Sequence, residues 1–171
     1  MFDKIKSIVF DFYASLSCKE KLGLLSPIPI ILIYFYFFRY TIPVNEMNDY
    51  ILGINDATLT TMALLLAFGL GVVTLMFSSG SPSIQKAKNY YPANVTNKDN
   101  IKLNYYELIL VRIYYSLIIQ VSMVLFSLLV KILLHSTTSL IVVIVESILL
   151  LHAILVEFKI VISMYHLMWR D

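Results

Sequence analysis

The charges between the apolar runs of this chain alternate in sign, basic then acidic then basic, and that alternation constrains the fold more than any other feature. Residues 1–21 hold Lys4, Lys6, Lys19 and Lys21 against Asp3, Asp11 and Glu20. Residues 41–56 hold Glu46, Asp49 and Asp56 with no Lys or Arg, and residues 80–102 hold Lys86, Lys88, Lys98 and Lys102 against Asp99. Cytoplasmic flanks of membrane helices are enriched in Lys and Arg, so the alternation predicts runs that cross a membrane with both termini inside.

Composition agrees. Hydrophobic residues make up 59% of the chain and charged residues 14%, against roughly 45–50% and about 25% in soluble domains, so the surplus apolar surface must face lipid. A net charge of +2 divided among separate loops leaves no nucleic-acid footprint, and no direct nucleic-acid binding is expected. Cys18 is the only cysteine, which excludes an intrachain disulfide and a cysteine-built metal centre; no cofactor or metal is expected. Asp11 interrupts the apolar stretch Ile8–Phe12 and no small-residue cleavage site follows, so the mature chain is expected to begin at Met1.

The predicted fold is all-α: an integral membrane four-helix bundle with an amphipathic N-terminal helix over 1–22. Phe2, Ile5, Ile8, Val9, Phe12, Tyr13 and Leu16 recur at helical spacing, with Asp3, Lys4, Lys6, Ser7, Asp11 and Ser15 opposite them. Such a helix lies along the inner headgroup layer or packs on the protein's own cytosolic face. Residues 23–171 form the four-span domain, with spans over about 26–42, 57–79, 105–133 and 138–164. The first span opens with Pro27 and Pro29 and carries an outer aromatic cluster, Tyr34 to Phe38 with Tyr40. Along the second, Ala63, Ala67, Gly71, Thr74 and Ser78 form a ridge of small residues that lets another helix approach closely, with pore lining as the lesser option.

The short turn 135–139 makes the last two spans an antiparallel hairpin. Arg39 and Lys131 then lie at the outer boundary, where long basic side chains snorkel. In the cytosolic loop 80–104, Ser81-Pro82 starts a short helix that ends near Asn89. Its lysines, Lys86, Lys88, Lys98 and Lys102, either contact anionic lipid or dock a soluble partner. The sequon Asn94-Val95-Thr96 falls on the cytosolic side, which discounts glycosylation.

Polar residues inside the spans carry whatever mechanism the chain has. Arg112, Ser116, Gln120, Ser127 and Lys131 form a stripe down the third span. In the fourth, Glu146 and Glu157 share one face, and His152, Lys159 and His166 share another. Helical rise from the turn puts Ser127 level with Glu146, and Glu157 between Gln120 and Arg112. Two readings follow. In one, a hydrated Glu146 binds a cation or proton with Ser127 assisting. In the other, Ser127 hydrogen-bonds a protonated Glu146 while Glu157 accepts from Gln120 or pairs with Arg112.

An enzyme is not expected: no Asp lies inside a span to form a paired-aspartate peptidase, no H-E-x-x-H pair exists, and no His accompanies Ser79-Gly80-Ser81. In length, span number and the Ser81–Lys102 loop, the chain resembles small four-span membrane subunits of bacterial antiphage systems, the Kiwa membrane subunit among them. Its Lys-over-Arg, Ile-, Asn- and Tyr-rich composition suits an A/T-rich bacterial gene. The resemblance implies a homo-oligomeric sensor or anchor in the inner membrane that holds a soluble cytosolic partner. A pore-forming or holin-like effector, its conduit lined by the third-span stripe, is the rival; a small transporter stands third.

Overall fold

In the computed structural model, residues 2–41, 43, 46–78, 80–93, 95–133 and 140–169 are described. They form seven helices: α1 (Phe2–Ser15), α2 (Cys18–Leu25), α3 (Pro27–Thr41), α4 (Met47–Ser78), α5 (Pro82–Asn89), α6 (Tyr105–Leu133) and α7 (Leu140–Trp169). Four stretches are long and apolar enough to cross a membrane: Cys18–Thr41, Met47–Ser78, Tyr105–Ile132 and Leu140–Leu167. The chain is a multi-pass, all-helical membrane bundle. The predicted hairpin turn 135–139, with His135, and the positions Ser79 and Asn94 lie outside the described residues.

The predicted arm over 1–22 is two helices rather than one. Ser17 ends the first and caps the second: its Oγ accepts from the Glu20 amide at 3.3 Å, and Glu20 Oε2 accepts from the Ser17 amide at 2.8 Å. This reciprocal capping box satisfies two backbone donors at a helix start and fixes the break. Pro27 then occupies the first turn of α3, where its missing N–H costs nothing.

α4 begins ten residues before the predicted start at 57, so the acidic stretch 47–56 is helix and not loop. The reason lies on one face. Ile51, Asn55, Thr58, Met62, Gly69, Val72 and Met76 are buried at steps of three, four and seven, the seam of a helix packed lengthwise on neighbours. Asp49 and Asp56 project from the other sides of the same turns. The ridge Ala63, Ala67, Gly71, Thr74 and Ser78 is exposed along its whole length, and nothing lies within 4 Å of a Cβ built at Gly71. Thr74 and Ser78 donate to their own helix, at Leu70 O (3.0 Å) and Leu75 O (3.4 Å), so the ridge tolerates an apolar surrounding. The close approach inside the bundle is made by Gly69, where an added Cβ would meet Leu117 Cδ2 at 2.9 Å.

α4, α6 and α7 form the packed core of the bundle, and α3 lies against α7. Antiparallel α6 and α7 place α1, α2, α5 and the loop 90–104 at one end with the C-terminal turn of α7. The C-terminal end of α3 and the start of α4, with Glu46, Asp49 and Asp56, lie at the other. The first end is the basic end and the second the acidic end.

Candidate functional site

Most polar side chains buried in the bundle fall into layers along α4, α6 and α7. Nearest the acidic end, Glu146 is fully buried. Its Oε1 accepts from Ser127 Oγ and, at 2.8 Å, from Asn55 Nδ2, which also donates to Ser127 O at 3.2 Å. Two acceptors fix the Asn55 nitrogen on that side, so Asn55 Oδ1 is left without a hydrogen-bond partner, as are Glu146 Oε2 and Thr58 Oγ1. One helical step beyond, Asp56 holds Lys131 at 2.7 Å, both about half exposed.

A second layer sits eleven residues along α7, or about 16 Å at ~1.5 Å per residue. Glu157 Oε1 accepts from Ser116 Oγ at 2.7 Å and from Gln120 Nε2, and Gln120 also donates to Ser116 Oγ at 2.9 Å. Gln120 Oε1 lies 3.5 Å from the position a Cβ would take at Gly69. Between the two layers Met62, Met123 and Ala153 make a buried apolar plug, flanked by Leu65, Ile119, Val124, Leu149 and Leu150. Methionine fills such irregular spaces because it is unbranched and flexible. The plug separates the carboxylates with dry side chains.

The third layer lies toward the basic end. Arg112 donates through Nη1 to Ser163 Oγ at 2.7 Å and through Nη2 to Glu20 Oε1 at 3.3 Å; Lys159 lies 3.4 Å from the same oxygen. Of the two partners expected for Glu157, Gln120 takes the place and Arg112 does not. The capped α2 supplies Glu20 as a nearer carboxylate for Arg112, while Ser116 and Gln120 fill the Glu157 oxygen. His152, Lys159 and His166 have separate surroundings: His152 Nε2 lies 3.0 Å from Tyr115 Oη, Lys159 meets Glu20, and His166 is exposed. Among the described residues no three His, Cys, Asp or Glu side chains gather as a metal-binding group.

The basic end is built onto the bundle. Phe12 stacks on Tyr115 with centroids 3.7 Å apart and planes 8° from parallel, and the Tyr13 and Tyr115 hydroxyls are 2.9 Å apart. Ser81 caps α5, accepting from the Ile84 amide at 3.4 Å. Beyond α5, Thr96 and Lys102 bridge across a tight turn in which Asn97 Oδ1 accepts from the Asp99 and Ile101 amides and Asn100 takes φ 59°. Asp11 Oδ1 accepts from the Lys98 amide at 3.1 Å and so ties this turn to α1. Lys86, Lys88, Lys98 and Lys102 all project from this end, Lys88 over the Tyr106 ring at 4.9 Å from its centroid.

The structure brings together Ser127 with Glu146, and Ser116 and Gln120 with Glu157. Asn55 joins the first pair, Glu20 and Ser163 join Arg112, and Tyr13 meets Tyr115 beside His152; these residues, and the buried but unpartnered Thr58, were missed. Two signals pointed to them: the Ser17-x-x-Glu20 capping box, and the seam that runs backward from Met62 to Asn55. No protein-family model, no curated protein and no solved structure matches the chain.

Proposed function

We propose that this chain is a non-enzymatic, oligomeric sensor or scaffold of the bacterial inner membrane, with both termini cytoplasmic, that holds a soluble partner at its inner face. The observation that carries this reading is the ordered basic end. An unengaged positive-inside loop needs no fixed shape, yet here Phe12 of α1 stacks on α6, Ile84 and Ala87 of α5 pack in the same apolar core, Tyr90 O accepts from the Tyr105 amide, and Asp11 accepts from the Lys98 amide of the turn 96–102. A rigid surface with projecting lysines suits a docking protein, because little ordering entropy remains to be lost on binding. The resemblance to membrane subunits of antiphage systems makes a soluble nucleic-acid-binding protein the kind of partner expected. The outward ridge of α4 is the surface left for self-association, since the polar stripe of α6 is consumed inside the chain.

Two observations favour the scaffold over the pore reading. Arg112, Ser116, Gln120 and Ser127 are buried against α7 and α4, and the Met62–Met123–Ala153 plug interrupts the polar path. The test is purification of the tagged full-length protein from its native membrane. A soluble protein that co-purifies, and is lost when Lys86, Lys88, Lys98 and Lys102 are changed together to Ser, supports the scaffold. Dye entry or depolarisation on expression contradicts it in favour of the pore, and cross-linking that yields only monomer removes the oligomer.

A further inference from the structure

Glu146 and Glu157 are both buried carboxylates, but their electrostatic surroundings differ. Glu157 accepts from Ser116, one helical turn along α6 from Arg112, whose pairing with Glu20 is shared by Lys159, so two basic groups lie in the layer next to it. Glu146 has no basic side chain within hydrogen-bond reach among the described residues. The nearest along α6 is Lys131, one turn past Ser127, and Asp56 already neutralises it at 2.7 Å. A fully buried negative charge without compensation is among the most costly features a protein can hold.

The atoms around Glu146 state what compensates it. Three oxygens in the layer lack a hydrogen-bond partner: Glu146 Oε2, Asn55 Oδ1 and Thr58 Oγ1, all on fully buried residues. The Asn55 amide hydrogens are spent on Glu146 Oε1 and Ser127 O, and the Ser127 hydroxyl is spent on Glu146 Oε1. A proton on Glu146 removes the charge and adds one O–H donor to that of the Thr58 hydroxyl, each serving a single acceptor. A cation removes the charge and gives every orphaned oxygen a positive partner. The donor set is oxygen only, which selects a hard ion, and one carboxylate balances one positive charge, whereas a divalent ion would leave an excess buried.

The acidic end provides the approach. Glu46 and Asp49 lie there, in addition to the Asp56 that pairs with Lys131, and favour cations locally. The Asp56–Lys131 pair stands one step outside the layer.

We propose that Glu146, Asn55, Thr58 and Ser127 form a binding site for a small monovalent cation, sodium, between α4, α6 and α7. The site joins three helices contributed by separate spans, so occupancy stabilises their packing. It stands apart from the scaffold reading, since binding is measured on the isolated chain and recruitment on the complex.

The experiment is thermal unfolding of the full-length protein in detergent, in sodium chloride against choline chloride at equal ionic strength and fixed pH. Sodium is expected to raise Tm by roughly 5–10 °C once it exceeds its Kd about 100-fold, with no rise in choline. Glu146→Gln is expected to abolish the difference. Thr58→Val keeps the side-chain volume and removes one oxygen, and it is expected to move the half-effective sodium concentration up at least tenfold. Equal Tm in the two salts for the unaltered protein overturns the proposal, whether or not Tm moves with pH; so does a sodium response that Thr58→Val leaves unchanged.

Discussion

Removing either partner of the Glu157–Gln120 contact deletes the same hydrogen bond, yet the two deletions leave different remnants. In Gln120→Leu the carboxylate keeps only the Ser116 hydroxyl on a residue that is 5% exposed. Interhelical hydrogen bonds in membrane bundles average about 0.6 kcal/mol, whereas a buried acceptor left short of donors costs about 1–3 kcal/mol, more when charged. Gln120→Leu should therefore cost about 2–3 kcal/mol. In Glu157→Leu the charge itself is gone, and Gln120 Nε2 keeps its 2.9 Å bond to Ser116 Oγ. The loss there is about 1 kcal/mol or less, because relief of the buried charge offsets the deleted bonds. The double variant should match Glu157→Leu and so recover at least 1 kcal/mol relative to additivity, beyond the ~0.5 kcal/mol within which independent sites add. Reversible unfolding of the four proteins in mixed micelles measures this cycle. A Glu157→Leu cost equal to or above that of Gln120→Leu, or strict additivity, refutes the layer as built.

Three further outcomes follow from particular contacts. Phe12→Ala removes a fully buried ring stacked on Tyr115 and should cost about 3–5 kcal/mol of docking. A fourteen-residue helix is marginal alone, so hydrogen exchange should show α1 losing protection, while Phe10→Ala, at an exposed position, leaves it intact. Gly69→Ala should lower thermal stability by about 1–3 kcal/mol through the 2.9 Å contact with Leu117, whereas Gly71→Ala, in open space, should be neutral or stabilising. Asp56→Asn should change stability by less than about 1 kcal/mol, as expected for a half-exposed ion pair, and unfolding at low and high salt should narrow even that difference.

The number of spans and the depth at which Ser127 meets Glu146 were legible in the sequence, because charge placement and a constant rise per residue are one-dimensional properties. The side of a helix that faces protein was not. In a soluble helix the apolar face marks the core, but α4 is apolar around most of its circumference. Hydropathy therefore did not separate Gly69, which touches α6, from Gly71, which touches nothing. The start of α4 was hidden for a related reason: Asn48, Asp49, Asn55 and Asp56 resemble a loop until Asn55 is seen in line with Met62 on the buried seam. Glu20 was read as one more charge on a basic arm, although its spacing from Ser17 marks a helix start that carries it to Arg112 and Lys159.

The proposed topology puts the basic end of the four-span bundle in the cytoplasm and the acidic end outside. Cys18 is the only cysteine and is exposed at the basic end, which makes the native chain its own probe. The direct measurement is labelling with a membrane-impermeant maleimide, before and after lysis, of the native protein and of Asp49→Cys in a Cys18→Ser background. The topology predicts that Cys18 reacts only after lysis and that the cysteine at position 49 reacts in intact spheroplasts. Labelling of Cys18 in intact spheroplasts, or protection of position 49, contradicts it.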